Sequence, residues 1–379
     1  MHVLLVTHYA LPHQGGIEFV VDHLIQRLVT RGCQVTLLTS DIASDEITPQ
    51  GWAHIRLPAL NFLENYAIPF PIFNPLRLAR TLNRLLPEID VVHAHGLLYQ
   101  DCVTATWMAC HRGIPVLLTE HVGLIEYNSR LVNGVEKLAF NTLGRICCRQ
   151  SDCVTVLNQR VESEIKPLVR SGTPIETVTN GVDTQRFHPP TLAEKAALRE
   201  KWGLTPDRPA VLFVGRLVEK KGIHLLTGAI SDAFDLVIAG RGSLPATHPN
   251  IKLIGAVSQD TLVELYQACD AFAMPSEGEG FPLAVQEALA CGLPIIVTDN
   301  PVNREYLDAA TAIFTARTVE AVRSAIHDLL SDEPRRSAMA DAARELAVSR
   351  FDWEQTTTHY LSLYQQLIEQ AQSTKEPHA

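Results

Sequence analysis

Short apolar runs alternate along this chain with segments whose apolar residues recur at helical spacing. "HVLLVTH" at residues 2–8 is a compact apolar run and "YALPHQGG" a glycine- and proline-bearing loop; "IEFVVDHLIQRLVTRG" then carries a helical repeat that stops at Gly32. Strand, loop and helix are predicted in that order. "CQVTLLTS" follows as a second strand, so the chain opens on a βαβ unit, whose natural home is a parallel sheet covered by helices. "DVVHAH", "PVLLTEH" and "CVTVLN" continue the alternation. After the polar stretch "HPPTLAEKAALREKWGLTPDRP" the same grammar restarts at "PAVLFVGRLVEKKGIHLLTGAI", and "FDLVIAGRGS", "IKLIGAV", "DAFAMPS" and "LPIIVTD" supply further buried parallel strands.

The pattern predicts an α/β chain with two Rossmann-like domains facing across a deep cleft. The boundary is expected near residues 183–208, giving domains 1–183 and 184–352; residues 353–379 add a terminal helix packing back towards the first domain and a frayed tail. Ligands of such sheets bind beyond the carboxyl ends of the strands, at switch points, so the cleft is the expected site and its closure would exclude water.

Composition narrows the class. A chain of 379 residues with 46% hydrophobic and 20% charged residues is long enough for two cores and has the balance of a soluble protein. It has no apolar run of eighteen residues, and "MHVLLVTHYALP" lacks the charged leader and the apolar length of a signal peptide, so a cytoplasmic location is expected. The eight cysteines show no Cys-x-x-Cys, which points to buried reduced thiols. A net charge of −10 argues against wholesale nucleic-acid binding while leaving room for a local basic site.

The candidate chemistry gathers in four places. In "PSEGEGFPLAVQEALACG" a helix predicted to start at Pro282 leaves the amides of Leu283 and Ala284 free to face an anion. Glu277 is expected to complement that positive end. Glu287 sits among Leu283, Ala284, Val285, Ala288, Leu289, Ala290 and Cys291, and a carboxylate in so apolar a helix needs donors, from an internal arginine or from the hydroxyls of a ribose. In "FVGRLVEKKG", Arg216 and Lys221 bracket a loop at a strand's carboxyl end without the P-loop spacing; two such cations suit a diphosphate, as they would suit a solvated surface. In "HQGGIE", Gly15 and Gly16 allow close approach of a ligand to the backbone, whereas "AGRGSLP" lacks the third glycine of a dinucleotide fingerprint. His93 and His95 share one face of a strand, and "TEH" adds Glu120 and His121. No third ligand stands at convincing spacing and no Asp-x-Asp occurs, so no metal site and no cofactor are expected.

Taken in order, the amino-terminal glycine loop, "TEH", "NGVDTQRF", "VGRLVEKKG" and "PSEGEGFPLAVQEALACGLPII" resemble the retaining nucleotide-sugar glycosyltransferases of glycosyltransferase family 4, which have the two-Rossmann GT-B fold. Glu279 and Glu287 fit the family's Glu, seven residues, Glu signature. The resemblance implies that Glu287 holds the donor ribose, that Glu279 lies near the donor sugar, and that Arg216 and Lys221 neutralise the leaving diphosphate. It also places Gly16 near the phosphates and His121 beside the reacting sugar, and counts Gly15, Gly280, Phe281 and Leu283 with the donor site. The chain departs from the family in reading Gly280-Phe281-Pro282 for the frequent Gly-Phe-Gly and "NPVNRE" where a glycine pair is common. The implied reaction moves a hexosyl group from a UDP- or GDP-sugar to a glycan, lipid-linked or small-molecule acceptor, without a metal. It fits cell-envelope or exopolysaccharide synthesis.

The first domain is expected to hold the acceptor. Arg77, Arg80 and Arg84 lie at i, i+3 and i+7 of one predicted helix, with Leu78, Leu82 and Leu85 on another face; such a stripe suits either an ordinary solvated surface or an anionic membrane. A GT-B nucleotide-sugar 2-epimerase and a non-catalytic sugar-nucleotide-binding protein are the rival readings, while an NAD-dependent oxidoreductase is disfavoured by the missing glycine fingerprint.

Overall fold

The computed structural model describes residues 1–13, 15–42, 51–62, 64, 70–124, 129–244, 248–278 and 280–375, the side chains of 374 and 375 excepted. The chain divides into two compact units, Met1–Asn180 with Glu354–Ala379, and Gly181–Trp353.

In the first unit, β1 (His2–Val6), β2 (Gln34–Ser40), β3 (Ala53–Leu57), β6 (Val91–His95), β7 (Val116–Glu120), β8 (Cys153–Val156) and β9 (Ile175–Thr177) form one parallel sheet. Their order is β3-β2-β1-β6-β7-β8-β9, and β4 (Ala59–Leu60) with β5 (Ile72–Phe73) forms a small antiparallel pair. The sheet turns back on itself between β1 and β6, the switch point at which an open α/β sheet binds its ligand. Strands buried on both faces explain the unbroken apolar runs of the sequence: Val3, Leu4, Leu5 and Val6 are all fully buried. The long last helix, Trp353–Lys375, belongs to this unit from Glu354 onward, and its Tyr364 hydroxyl lies 2.6 Å from His93 Nδ1 inside the sheet's cover.

The second unit repeats the plan with β10 (Ala210–Val214), β11 (Asp235–Ala239), β12 (Ile251–Gly255), β13 (Ala271–Met274), β14 (Ile295–Thr298) and β15 (Ala312–Thr315), all parallel, in the order β12-β11-β10-β13-β14-β15. Its switch point falls between β10 and β13. The loops that follow those two strands carry Arg216–Lys221 and Glu277–Pro282, so topology alone brings the two motifs to one place. "NPVNRE", where a glycine pair was the commoner family feature, forms the Pro301–Tyr306 helix, capped by Asn300 accepting from the Asn303 amide at 2.8 Å.

Candidate functional site

Glycines decide the shape of the second unit's loops. The Gly215 amide donates to the Ala239 carbonyl at 2.9 Å and the Leu217 amide to the Arg241 carbonyl at 2.8 Å, which lays the loop after β10 against the loop after β11. Gly240, at φ +149, approaches so closely that a Cβ there would stand 1.8 Å from the Gly215 oxygen. "AGRG" is therefore the packing partner of "VGRL". On the other side, Gly222 adopts φ +75 with no room for a Cβ beneath the Pro275 carbonyl, and the Glu277 amide donates to the Lys220 carbonyl at 2.9 Å.

Arg317 clamps the same loops. Its guanidinium donates to the Pro275 carbonyl at 3.1 Å and to the Glu219 carbonyl at 3.4 Å, and pairs with the Glu277 carboxylate. Glu277, expected to complement a helix end, is instead held by this arginine. Arg317 escaped the sequence reading because it lies some forty residues beyond the loop it secures, with no local pattern to mark it.

Arg216 is exposed and has no side-chain partner among the described residues, while Lys221 ends the short helical turn Glu219–Lys221 on the same loop. The helix after the second loop runs Leu283–Ala290. Pro282 is its cap rather than its first residue: its carbonyl receives the Val285 amide at 3.0 Å and the Gln286 amide at 3.3 Å. The amides of Leu283 and Ala284 have no partner among the described residues. Phe281, counted with the donor site, turns its ring into the core, 4.5 Å from the ring of Tyr306 and 5.1 Å from that of Phe351; it anchors the loop instead of lining it. Gly280 lies just before it, and Glu279 falls outside the described residues.

Glu287 is partly buried on the Leu283–Ala290 helix and accepts from the Tyr266 hydroxyl at 2.8 Å. That hydroxyl also lies 3.1 Å from the Ala284 carbonyl, so one proton serves two acceptors. Burial pushes the Glu287 carboxyl up to about 7, with the Tyr266 hydrogen bond and the charge of Arg186 pulling the other way. An internal arginine does not satisfy it: Arg186 bonds Asp260 at 2.7 Å.

In the first unit, the ends of β1, β6 and β7 gather polar side chains. Gly15 caps the Gly16–Thr30 helix in extended conformation. A Cβ on Gly16 would meet nothing within 4 Å, so the backbone there is open to approach. Glu18, almost wholly buried, holds His13 Nδ1 at 2.6 Å, and the other His13 nitrogen reaches Glu64 at 3.0 Å. His8 stacks on Tyr99 with ring centroids 3.6 Å apart. Neither His8, His13 nor Glu18 stood out in the sequence, although "HQGGIE" contains two of the three.

His121 is buried, with Nε2 3.1 Å from His95 Nδ1, and burial lowers its pKa to about 4, so the ring is neutral at neutral pH. The neighbouring Glu120 accepts the amides of Leu97 at 3.0 Å and of Val122 and Gly123 at 3.1 Å, which pins the turn that presents His121. His93 and His95 do share a face, with rings 4.1 Å apart, but both His93 nitrogens are engaged, by Tyr364 and by Thr119 at 2.7 Å. No cluster of three His, Cys, Asp or Glu side chains arranged for a metal occurs among the described residues. Arg77, Arg80 and Arg84 are exposed on the Pro75–Leu85 helix, whose Leu78 and Leu82 are buried.

Comparison with known proteins accounts for both units. Residues 14–186 match the family described as Glycosyltransferase Family 4, and residues 194–346 match Glycosyl transferases group 1. The chain is 27% identical to a D-inositol 3-phosphate glycosyltransferase of Xylanimonas cellulosilytica, over 93% of this chain and 92% of the relative. It is also 27% identical to a GDP-mannose-dependent alpha-mannosyltransferase of Mycobacterium tuberculosis, over 96% of each. Among solved structures it resembles Anabaena HepE in complex with UDP, with a TM-score of 0.77 at 17% identity, covering 97% of this chain and 100% of that one; this likeness shows the GT-B fold. With the two family matches spanning both halves of the chain, the protein belongs to glycosyltransferase family 4, the retaining glycosyltransferases that work from nucleotide-sugar donors.

Proposed function

We propose that the second unit binds the donor as a nucleoside-diphosphate hexose, UDP- or GDP-linked, and that Glu287 holds its ribose. The observation that carries this reading is the environment of Glu287. A partly buried carboxylate at the switch point, with one tyrosine hydroxyl as its side-chain donor among the described residues, is short of the donors a ribose diol supplies. Arg216, Lys221 and the free amides of Leu283 and Ala284 then meet the diphosphate, and Glu279 orients the sugar.

Charge grows on the leaving diphosphate as the glycosidic bond breaks, and fixed cations and amides stabilise it without reorganising. Retention follows if the acceptor attacks on the face the diphosphate leaves, a phosphate oxygen taking its proton; no carboxylate nucleophile and no metal enter this scheme. Neutral His121 contributes a hydrogen bond at the reacting sugar, and Gly15 and Gly16 leave room for the phosphates. The first unit takes the acceptor. The D-inositol 3-phosphate glycosyltransferase among the relatives supports a hydroxyl-rich acceptor such as an inositol phosphate; a lipid-linked glycan at an anionic membrane is the alternative that the exposed Arg77, Arg80 and Arg84 would suit.

The test is to incubate the protein with UDP-, GDP- and ADP-hexoses and inositol-phosphate or glycolipid acceptors, following nucleoside diphosphate release and the anomeric configuration of the product. A product with the donor's anomeric configuration from one nucleotide class supports the scheme. Inverted product, or no release from any donor, removes it.

A further inference from the structure

We infer that one helical layer of the first unit is a docking surface for an anionic lipid bilayer. The inference does not depend on the donor reading. The Pro75–Leu85, Gln100–Cys110 and Arg145–Gln150 helices pack side by side in this layer, and the Arg130–Ala139 helix continues into the last of them through a π-helical turn at Phe140–Gly144.

Two features of the layer are unusual for a solvated surface. The Arg130–Ala139 helix buries none of its residues, yet it is amphipathic: Leu131, Val135 and Leu138, at i, i+4 and i+7, are 78%, 61% and 65% exposed. Ile146 extends the stripe past the π-helical turn, and Trp107 on the central helix is 49% exposed. A stripe of large apolar side chains, with an exposed tryptophan elsewhere in the same layer, is the kind of surface that meets acyl chains and headgroups.

Charge selects the occupant. In a chain of net charge −10, the Pro75–Leu85 helix carries Arg77, Arg80 and Arg84 and no acid. None of the three has an ion-pair partner among the described residues. Along residues 129–150, Arg130, Lys137, Arg145 and Arg149 face a single carboxylate, Glu136. Exposed apolar residues bordered by this excess of cations match a negatively charged bilayer, where a modest apolar insertion and an electrostatic attraction each supply part of the affinity.

The experiment is flotation of the full-length protein with vesicles of phosphatidylcholine containing about one-third phosphatidylglycerol, beside vesicles of phosphatidylcholine alone. The wild-type protein is expected to float with the anionic vesicles and not with the neutral ones, and to be released by salt. Changing Leu131, Val135 and Leu138 together to Ser should weaken partitioning at least about tenfold, as should changing Arg77, Arg80 and Arg84 to Gln. Quenching of Trp107 by brominated-lipid vesicles, read as the difference between wild type and Trp107→Phe, checks the surface without altering the stripe. Absence of flotation, flotation that both sets of changes leave intact, or a self-associated protein that the serine variant renders monomeric would overturn the inference, the last assigning the stripe to a second copy of the chain.

Discussion

The Tyr266 hydroxyl lies 2.8 Å from the Oε2 oxygen of Glu287, and twenty-one residues of chain separate them. One shared hydroxyl proton is scant compensation for a carboxylate in this setting, and the Glu287 carboxyl accordingly rises from 4.5 to about 7. A pKa raised in the folded state means that stability is greatest below the unfolded value and is lost as the pH rises through about 7. Glu287→Gln should therefore leave the free protein as stable or more stable above that pH while weakening donor binding. Hydroxyls of a ribose favour the ionised carboxylate, so the wild type's donor affinity should fall as the pH drops below about 7. Donor titration by calorimetry across that range checks both signs, and an affinity that rises in acid would contradict them.

Arg216 is exposed and makes no side-chain contact that the fold needs. Arg216→Ala should leave the melting temperature unchanged and lower turnover by roughly 10²–10³-fold, the scale seen when a charge-stabilising donor is removed from a reacting centre. Steady-state kinetics on a folded variant measures it. A large rise in KM with kcat intact would mean that Arg216 acts in binding alone.

Two glycines, one in each unit, should behave oppositely. Gly240→Ala forces a Cβ to 1.8 Å from the Gly215 oxygen at φ +149 and should lower stability by about 1–3 kcal/mol. Gly16→Ala meets nothing within 4 Å and should leave stability near wild type; if the phosphates approach there, donor affinity falls. Paired thermal melts with and without donor separate the two cases.

Several histidines of the first unit are buried and neutral. Burial lowers His8 and His93 from 6.5 to about 3 and His121 to about 4, and takes His95 well below 6.5. The unfolded chain binds more protons than the folded one between these values. The stabilisation is present above pH 6.5 and is lost as the pH falls through the window towards 4. Melting temperatures should fall steeply over that interval, and His8→Phe, which keeps a ring stacked on Tyr99, should flatten the slope.

Much of this was legible in the sequence because it is local. Apolar runs ending in "VGRL" or "TEH", and helical repeats stopped by glycine, report directly on strands buried on both faces and on the loops beyond them. The need of Glu287 for donors was likewise visible from its apolar neighbours. The donor itself was not: Tyr266 reaches Glu287 from another helix, as Arg317 reaches its loops from well beyond them, and only tertiary register brings these two to their partners. Glu18, five residues from His13, carried no pattern that set it apart. The stripe of Leu131, Val135 and Leu138 reads in sequence like any core-facing helix, and it takes the fold to show that none of the described residues buries it. Pro282 shows the limit of local rules, since a proline suits the first helical position and the cap equally well and only the amides that bond its carbonyl distinguish them.

The central claim, a nucleotide-sugar held at the second unit's switch point by Glu287 and activated there by Arg216, is tested most directly by measuring thermal stabilisation and slow donor hydrolysis together. UDP-, GDP- and ADP-sugars are presented to the wild type, to Glu287→Ala and to Arg216→Ala. One nucleotide class should stabilise the wild type, lose most of that effect in Glu287→Ala, and keep it in Arg216→Ala while hydrolysis collapses. Stabilisation by no donor, or equally small effects of both substitutions, would contradict the assignment.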